Sequence, residues 1–176
     1  MALVLWLTGL SGSGKTTLAE YAAKELSEKK TSSTIIDGDD VRDSYPEKLG
    51  FSKVDILKNN RYIVELCQKK SDLFDVIFVP VISPYEESRA HALKTLGKSC
   101  SIIYLNADLA SVEKRDVKGL YKKARAGIIN NMIGLADSNP YQVPSSPDLI
   151  LSTGLNGDAP EASLKQLLAF IEQKLC

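Results

Sequence analysis

The chain has 176 residues, of which 44% are hydrophobic and 25% charged, the make-up of a globular domain that buries its own core without disulfide or metal staples. Its 22 Lys and Arg balance its 22 Asp and Glu, so no global field draws it to nucleic acid or to a membrane surface, and any basic site is local. Three cysteines, Cys67, Cys100 and Cys176, form no CxxC or Cys/His metal spacing and read as reduced thiols of a cytoplasmic enzyme.

The apolar start Met1–Leu7 lacks a basic flank and a cleavage site and runs straight into a glycine loop, so it reads as a first strand rather than a signal peptide. No stretch approaches the eighteen or so apolar residues of a membrane span. Further strands are expected at Ser33–Ile36, Val76–Val79, Ser101–Leu105 and Leu149–Leu151, after a first at Leu3–Leu7. All are short, rich in Val, Ile or Leu and mostly without polar alternation, as in parallel strands covered on both faces. Helical stretches lie between them near Lys15–Lys29, Lys53–Lys69, Glu86–Leu96, Leu109–Ala126 and Ala162–Lys174. In the second of these, Val54, Leu57, Tyr62 and Leu66 mark one expected buried face. The alternation predicts an α/β fold, a doubly wound, mainly parallel five-stranded sheet with right-handed crossovers in a single domain spanning residues 1–176. Gly134–Pro147, rich in Asn, Ser and Pro, reads as a loop at the rim of a site.

The segment Gly9-Leu10-Ser11-Gly12-Ser13-Gly14-Lys15-Thr16-Thr17 follows a predicted strand and opens a predicted helix, the context in which such a motif binds phosphate. Its glycines let successive N–H groups point into one concavity that, with the helix N-terminus behind it, holds the β- and γ-phosphates of ATP. Lys15 brings a point charge to the phosphoryl oxygens and Thr16 a hydroxyl ligand for Mg2+. Gly9, Ser11, Gly12, Ser13, Gly14, Lys15, Thr16 and Thr17 are therefore the expected ATP-binding set. The fold expected is that of the P-loop nucleoside triphosphate hydrolase-type kinases.

Asp37-Gly38-Asp39-Asp40-Val41-Arg42 comes directly after the second strand, at the C-terminal sheet edge beside the glycine loop. Phosphoryl transfer needs a carboxylate to orient or deprotonate the acceptor hydroxyl and a cation to fix an anionic acceptor. Asp37 or Asp39 fits the first role and Arg42 the second. The run from Lys114 to Arg125 holds six cations in twelve residues after the fourth strand, where a lid closing over a triphosphate belongs. His91, the single histidine, reads as a satisfied helix residue, and Trp6 as core.

Together with Leu49-Gly50-Phe51-Ser52, Ile82-Ser83-Pro84-Tyr85 and Arg115-Asp116-Val117-Lys118-Gly119-Leu120-Tyr121-Lys122-Lys123-Ala124-Arg125-Ala126-Gly127, these segments closely resemble the adenylylsulfate kinases over nearly the whole chain. The resemblance implies transfer of the ATP γ-phosphate to the 3′-hydroxyl of adenylyl sulfate. It implies a catalytic carboxylate and metal ligand at Asp37 beside Thr16, with Asp39 near metal and hydroxyl. Lys15 and Lys118 join them in catalysis, and Arg115 on the ATP side. Acceptor contacts are implied at Asp39, Arg42, Phe51, Asn59, Ile82, Ser83, Lys118, Leu120 and Met132. It also implies a homodimer acting on a small nucleotide acceptor in sulfate assimilation, with no nucleic-acid or membrane partner. The chain departs from the family pattern at Asp40, at Ile56 and Glu86 (each in place of an arginine) and at Met132 (in place of a phenylalanine), all but the first on the acceptor side. Two rival functions are a relative that phosphorylates a ribose hydroxyl on another nucleotide conjugate, and a nucleotide-binding regulator. The chain lacks the Asn-Lys-x-Asp base-reading motif of a regulatory GTPase.

Overall fold

The first apolar run is the central strand of the sheet, which is why all six residues of β1 (Leu3–Thr8) are buried. A computed structural model describes residues 1–47 and 49–175. β2 (Ser33–Ile35), β3 (Val76–Pro80), β4 (Cys100–Asn106) and β5 (Leu149–Ser152) complete a five-stranded sheet in the order β2-β3-β1-β4-β5, parallel at every pairing. In β1, Leu5 lies opposite Phe78 on one side and Ser101 on the other.

Alternate β1 residues face opposite sides of the sheet and meet separate cores. Val4 and Trp6 join Ile77, Val79 and Ile102 beneath α3 (Lys53–Lys70) and α4 (Glu86–Leu96), which contribute Ile63, Val64, Cys67 and Ala92. Leu3, Leu5 and Leu7 join Phe78, Ile103 and Leu105 beneath α1 (Lys15–Glu28) and α7 (Pro160–Leu175), through Leu18, Ala22, Leu167 and Ile171. Strands covered on both faces read as continuous apolar runs, and this covering makes them legible from the sequence. No helix is long and apolar enough to cross a membrane among the described residues.

Three local features differ from the expectations. The acidic segment after β2, for which no helix was expected, forms a short one, α2 (Gly38–Asp43), capped by Asp37, whose Oδ1 accepts the Asp39 N–H at 2.9 Å. The long basic helix is broken into α5 (Leu109–Arg115) and α6 (Leu120–Arg125). At the break Asp116 and Gly119 take φ of 27° and 64°, and the Asp116 carboxylate accepts the N–H groups of Tyr121 and Lys122 at 3.0 and 2.9 Å. The aspartate thus stops one helix and starts the next. Finally, α3 does not bury Val54, which is 74% exposed, and Leu57, Tyr62 and Leu66 are only partly buried. Its inner face runs through Ile56, Asn59, Asn60, Ile63, Val64 and Cys67. Two asparagines in that stripe break the apolar pattern from which the face was read.

Candidate functional site

The C-terminal ends of β1, β2, β3 and β4 bring the glycine loop, α2, Ile82–Ser83 and the basic segment to one edge of the sheet, the crevice where doubly wound sheets bind ligands. At Gly9 a Cβ would meet the Leu105 carbonyl oxygen at 2.6 Å and Ser13 Oγ at 2.9 Å, so only glycine lets the loop leave β1 this close to β4. Gly12 and Gly14 hold φ of 78° and 95°, and Gly14 caps α1 without a side chain, leaving the first N–H groups of that fourteen-residue helix directed at the loop.

Lys15 is buried and folds back over the loop, donating to the carbonyls of Gly9 and Leu10 at 3.0 and 2.8 Å and to Ser13 Oγ at 3.4 Å. Loss of water around its ammonium is the largest influence on it and lowers its pKa to about 8, although Asp39 and Asp37 oppose the shift. Thr16 Oγ1 donates to Asp37 Oδ2 at 2.8 Å, so both Asp37 oxygens are engaged, one with Thr16 and one as the α2 cap. Asp39 instead pairs with Lys118 of the segment between α5 and α6, and that hydrogen bond raises the Lys118 pKa. Tyr121 of α6 donates to the Ser11 carbonyl at 2.9 Å, tying the basic segment to the glycine loop. Arg115 also donates to Gly12 O and, through its other terminal nitrogen, to Thr153 O after β5.

Two clefts adjoin here. One, of about 160 Å³, is walled by Gly12, Gly14, Lys15, Thr16, Thr17 and Asp37. The other, of about 340 Å³, is walled by Arg42, Phe51, Leu120, Met132 and Ile133. Ser11, Asp39, Ile82 and Lys118 border both, so the Asp39–Lys118 pair stands at their junction. In the second cleft the Arg42 guanidinium lies 4.7 Å over the Phe51 ring and donates to Gly50 O, while its Nε has no partner among the described residues. Burial lowers its pKa, opposed most by Asp39.

The remaining expected residues lie behind these walls. Gly9 and Ser13 form the underside of the loop, holding Lys15 rather than lining the cleft. Asn59 is fully buried, and its Nδ2 donates to Gly38 O at 3.1 Å, securing the start of α2. Asn59 and Ser83 border a small notch beside Arg42 in which Asn59 Oδ1 and Ser83 Oγ have no partner among the described residues. Ser83 holds a φ of 43°, a sparsely populated backbone for a side chain with a Cβ, and Arg89 donates to its carbonyl at 2.6 Å.

Two departures from the family pattern take a different meaning in three dimensions. Ile56 is 1% exposed and packs with Tyr85 and Ile133, so an apolar side chain there is core beneath the cleft. Glu86 borders neither cleft: its carboxylate binds the buried Arg89 and accepts from Ser145 Oγ at 3.0 Å. It therefore neutralises an internal cation and adds no charge to the acceptor side. Sequence reasoning missed Arg89, Tyr141 and Asn139. The Glu86 and Arg89 pair at i, i+3 was a readable signal. Tyr141, whose hydroxyl lies 2.9 Å from Thr8 Oγ1, and Asn139 sit in the loop-rich segment with no periodicity to announce them.

A phosphate-binding loop at the end of the central parallel strand, facing a carboxylate pair and a basic segment, defines a P-loop kinase. The adenylylsulphate kinase family profile matches residues 1–152. An adenylyl-sulfate kinase of Geotalea daltonii is 39% identical over 174 residues, covering 98% of this chain and 83% of that protein. A probable adenylyl-sulfate kinase of Bacillus subtilis is 39% identical over 173 residues, covering 98% and 86%. The APS kinase of Mycobacterium tuberculosis, solved in complex with AMPPNP and APS, superposes with a TM-score of 0.89 at 34% identity, covering 97% of this chain and 98% of that one. The chain belongs to the adenylylsulfate kinase family.

Proposed function

We propose that this chain, acting as one P-loop kinase domain, transfers the γ-phosphate of ATP to the 3′-hydroxyl of adenylyl sulfate, giving 3′-phosphoadenylyl sulfate and ADP. The observation that carries the reading is the pair of clefts that share Asp39 and Lys118, with the glycine loop on one side and Arg42 and Phe51 on the other. The glycine-loop N–H groups and Lys15 hold the donor phosphates, and Lys15 leaves the loop carbonyls to do so.

Thr16 and Asp37 present hard oxygen ligands 2.8 Å apart, a donor set that fits Mg2+ completed by phosphate oxygens and water. Held by these two residues, Mg2+ would supply positive charge beside the phosphate oxygens. The resemblance implied the base at Asp37, but both oxygens of that carboxylate are engaged, by Thr16 and by the Asp39 N–H. The role therefore passes to Asp39, which borders both clefts and takes the hydroxyl proton as the acceptor oxygen bonds to the γ-phosphorus. The bond to the β-phosphate oxygen breaks with its electron pair leaving on ADP. Lys118, released from Asp39, then faces the transferring group. Arg42 pairs with the anionic end of the acceptor, with Asn59, Ile82 and Ser83 behind it, and Phe51, Leu120 and Met132 cover the base.

We place the reaction in the cytoplasm, in keeping with the free buried thiols of Cys67 and Cys100, and within sulfate assimilation. A homodimer rests on the family resemblance alone, and light scattering tests it. The decisive experiment is acceptor-dependent ADP release with adenylyl sulfate beside a panel of other nucleotide conjugates. Turnover of another conjugate with none on adenylyl sulfate would transfer the reading to a relative that phosphorylates a different acceptor.

A further inference from the structure

Asn139 borders neither cleft, yet every polar group it carries is used. It is 3% exposed and lies in the Asn-, Ser- and Pro-rich segment after the basic helices. Its backbone closes a tight loop, with its N–H donating to Ala136 O at 2.9 Å and its carbonyl accepting from Gly134 at 2.8 Å. The side chain then reaches out in three directions. Nδ2 donates to Phe51 O at 2.7 Å and to Asn131 O at 3.0 Å, and Oδ1 accepts the Tyr85 hydroxyl at 2.5 Å.

Two carbonyls and one hydroxyl make a demand that only a carboxamide of this size meets. The NH2 group supplies two donors and the oxygen one acceptor, and the opposite amide orientation would set oxygen against carbonyl oxygen. The two carbonyls belong to segments far apart in the chain. Phe51 precedes α3, Asn131 follows the basic helices, and both residues border the 340 Å³ cleft, as does Met132 next to Asn131. Tyr85, the third partner, packs with Ile56 and Ile133 beneath that cleft. Among the described residues none of the hydrogen bonds of Asn139 ends on the glycine loop, Asp37 or Asp39; only its backbone partner Gly134 lies against a loop side chain, that of Leu10.

We propose that Asn139 is a positioning residue that sets the spacing between the Phe51 and Asn131–Met132 walls of the acceptor cleft, and through it the affinity for the acceptor but not for ATP. The proposal rests on the reading of this cleft as the acceptor site. Geometry fixed by a buried amide costs a substrate little on binding, whereas walls left free must be ordered each time.

Asn139→Asp is nearly isosteric and keeps the bond from Tyr85 while losing both donated bonds, and Asn139→Ala loses all three. Each should raise KM for adenylyl sulfate about tenfold or more while KM for ATP stays within about twofold. Tyr85→Phe, which removes only the hydroxyl bond, should leave KM for adenylyl sulfate near that of the unsubstituted protein. Equal changes in both KM values, or a Tyr85→Phe effect as large as that of Asn139→Asp, would overturn the proposal.

A measurement on the unsubstituted protein stands beside the variants and, if they do not fold, still decides whether the bridge exists. In NMR spectra both Nδ2 protons should exchange slowly with solvent and show through-hydrogen-bond coupling to the carbonyl carbons of Phe51 and Asn131. Rapid exchange of that amide sinks the bridge. If the unsubstituted protein fails to turn over adenylyl sulfate, the acceptor reading falls separately, while the NMR result still decides whether Asn139 joins the two walls.

Discussion

The proposed donor and acceptor halves of the site are built in opposite ways. The donor half is nine consecutive residues from Gly9 to Thr17, pinned between the central strand and the first helix of the sheet. The acceptor half is gathered from α2, the Phe51 turn, Ile82, the Lys118–Leu120 segment and the Ile129–Ile133 loop. A run of neighbours on a rigid strand needs no long-range agreement to hold its shape. A cleft made of five segments exists only while tertiary contacts such as the Arg42–Phe51 stack and the Asn139 bridges hold them in register. Changes in the first half should therefore strike catalysis itself, and changes in the second should strike mainly the affinity for one substrate.

The sharpest probe is at the junction. Asp39→Asn removes the proposed base while keeping its shape, and kcat should fall by about 10²–10⁴ with ATP affinity nearly intact. Steady-state rates with a separate ATP-binding titration read both, and a variant that turns over normally would move the base to Asp37. Lys15→Met should cost about 10²–10³ in kcat, since it removes charge aimed at the transferring phosphoryl group. If that variant lost only ATP affinity, the donor half would be a binding element rather than a catalytic one. On the acceptor side, Arg42→Ala should raise KM for adenylyl sulfate by roughly tenfold to a hundredfold, the loss of one charge-assisted contact, with KM for ATP unchanged. A matching rise for ATP would erase the division between the halves.

The smallest effect concerns protons. Free Lys15 has a pKa of about 8, below the value near 10.4 of an unfolded lysine, so the unfolded chain binds more protons between those limits. The cost of burying charged Lys15 is present in full below pH 8, and the stability of the free protein rises as pH climbs through that window. Bound phosphates favour the charged form, so ATP should take up a fraction of a proton near pH 8, and its affinity should fall as pH rises further. Calorimetry in buffers of different ionisation enthalpy measures the uptake, which Lys15→Met should abolish. Uptake that persists in that variant would assign the proton elsewhere.

Much of this was legible because it is local. The five apolar runs became the five strands, since burial on both faces leaves no room for polar alternation, and the glycine loop fell where a strand meets a helix. The site was less legible wherever a residue acts across the chain. Asp116 looked like one more charge in a basic helix, yet its capping of Tyr121 and Lys122 divides that helix in two. Glu86 looked like a charge at the acceptor, and its meaning changed once Arg89 was found buried against it. Asn59 and Asn60 hid the inner face of α3, because a buried polar side chain carries no apolar signal even when it is hydrogen-bonded to Gly38 or Ile56.

The sequence by itself determined the glycine loop between a strand and a helix, the order of the elements and the edge of the sheet at which the loop lies. Strand propensity, glycine stereochemistry and the C-terminal-edge rule act over a few residues at a time. Only the tertiary structure decided which carboxylate borders both clefts, which cations are internally neutralised and which amide joins the acceptor walls. Those are distances between groups dozens of residues apart, set by the packing of α2 on α3 and by the bond from Tyr121 of the basic segment to the glycine loop.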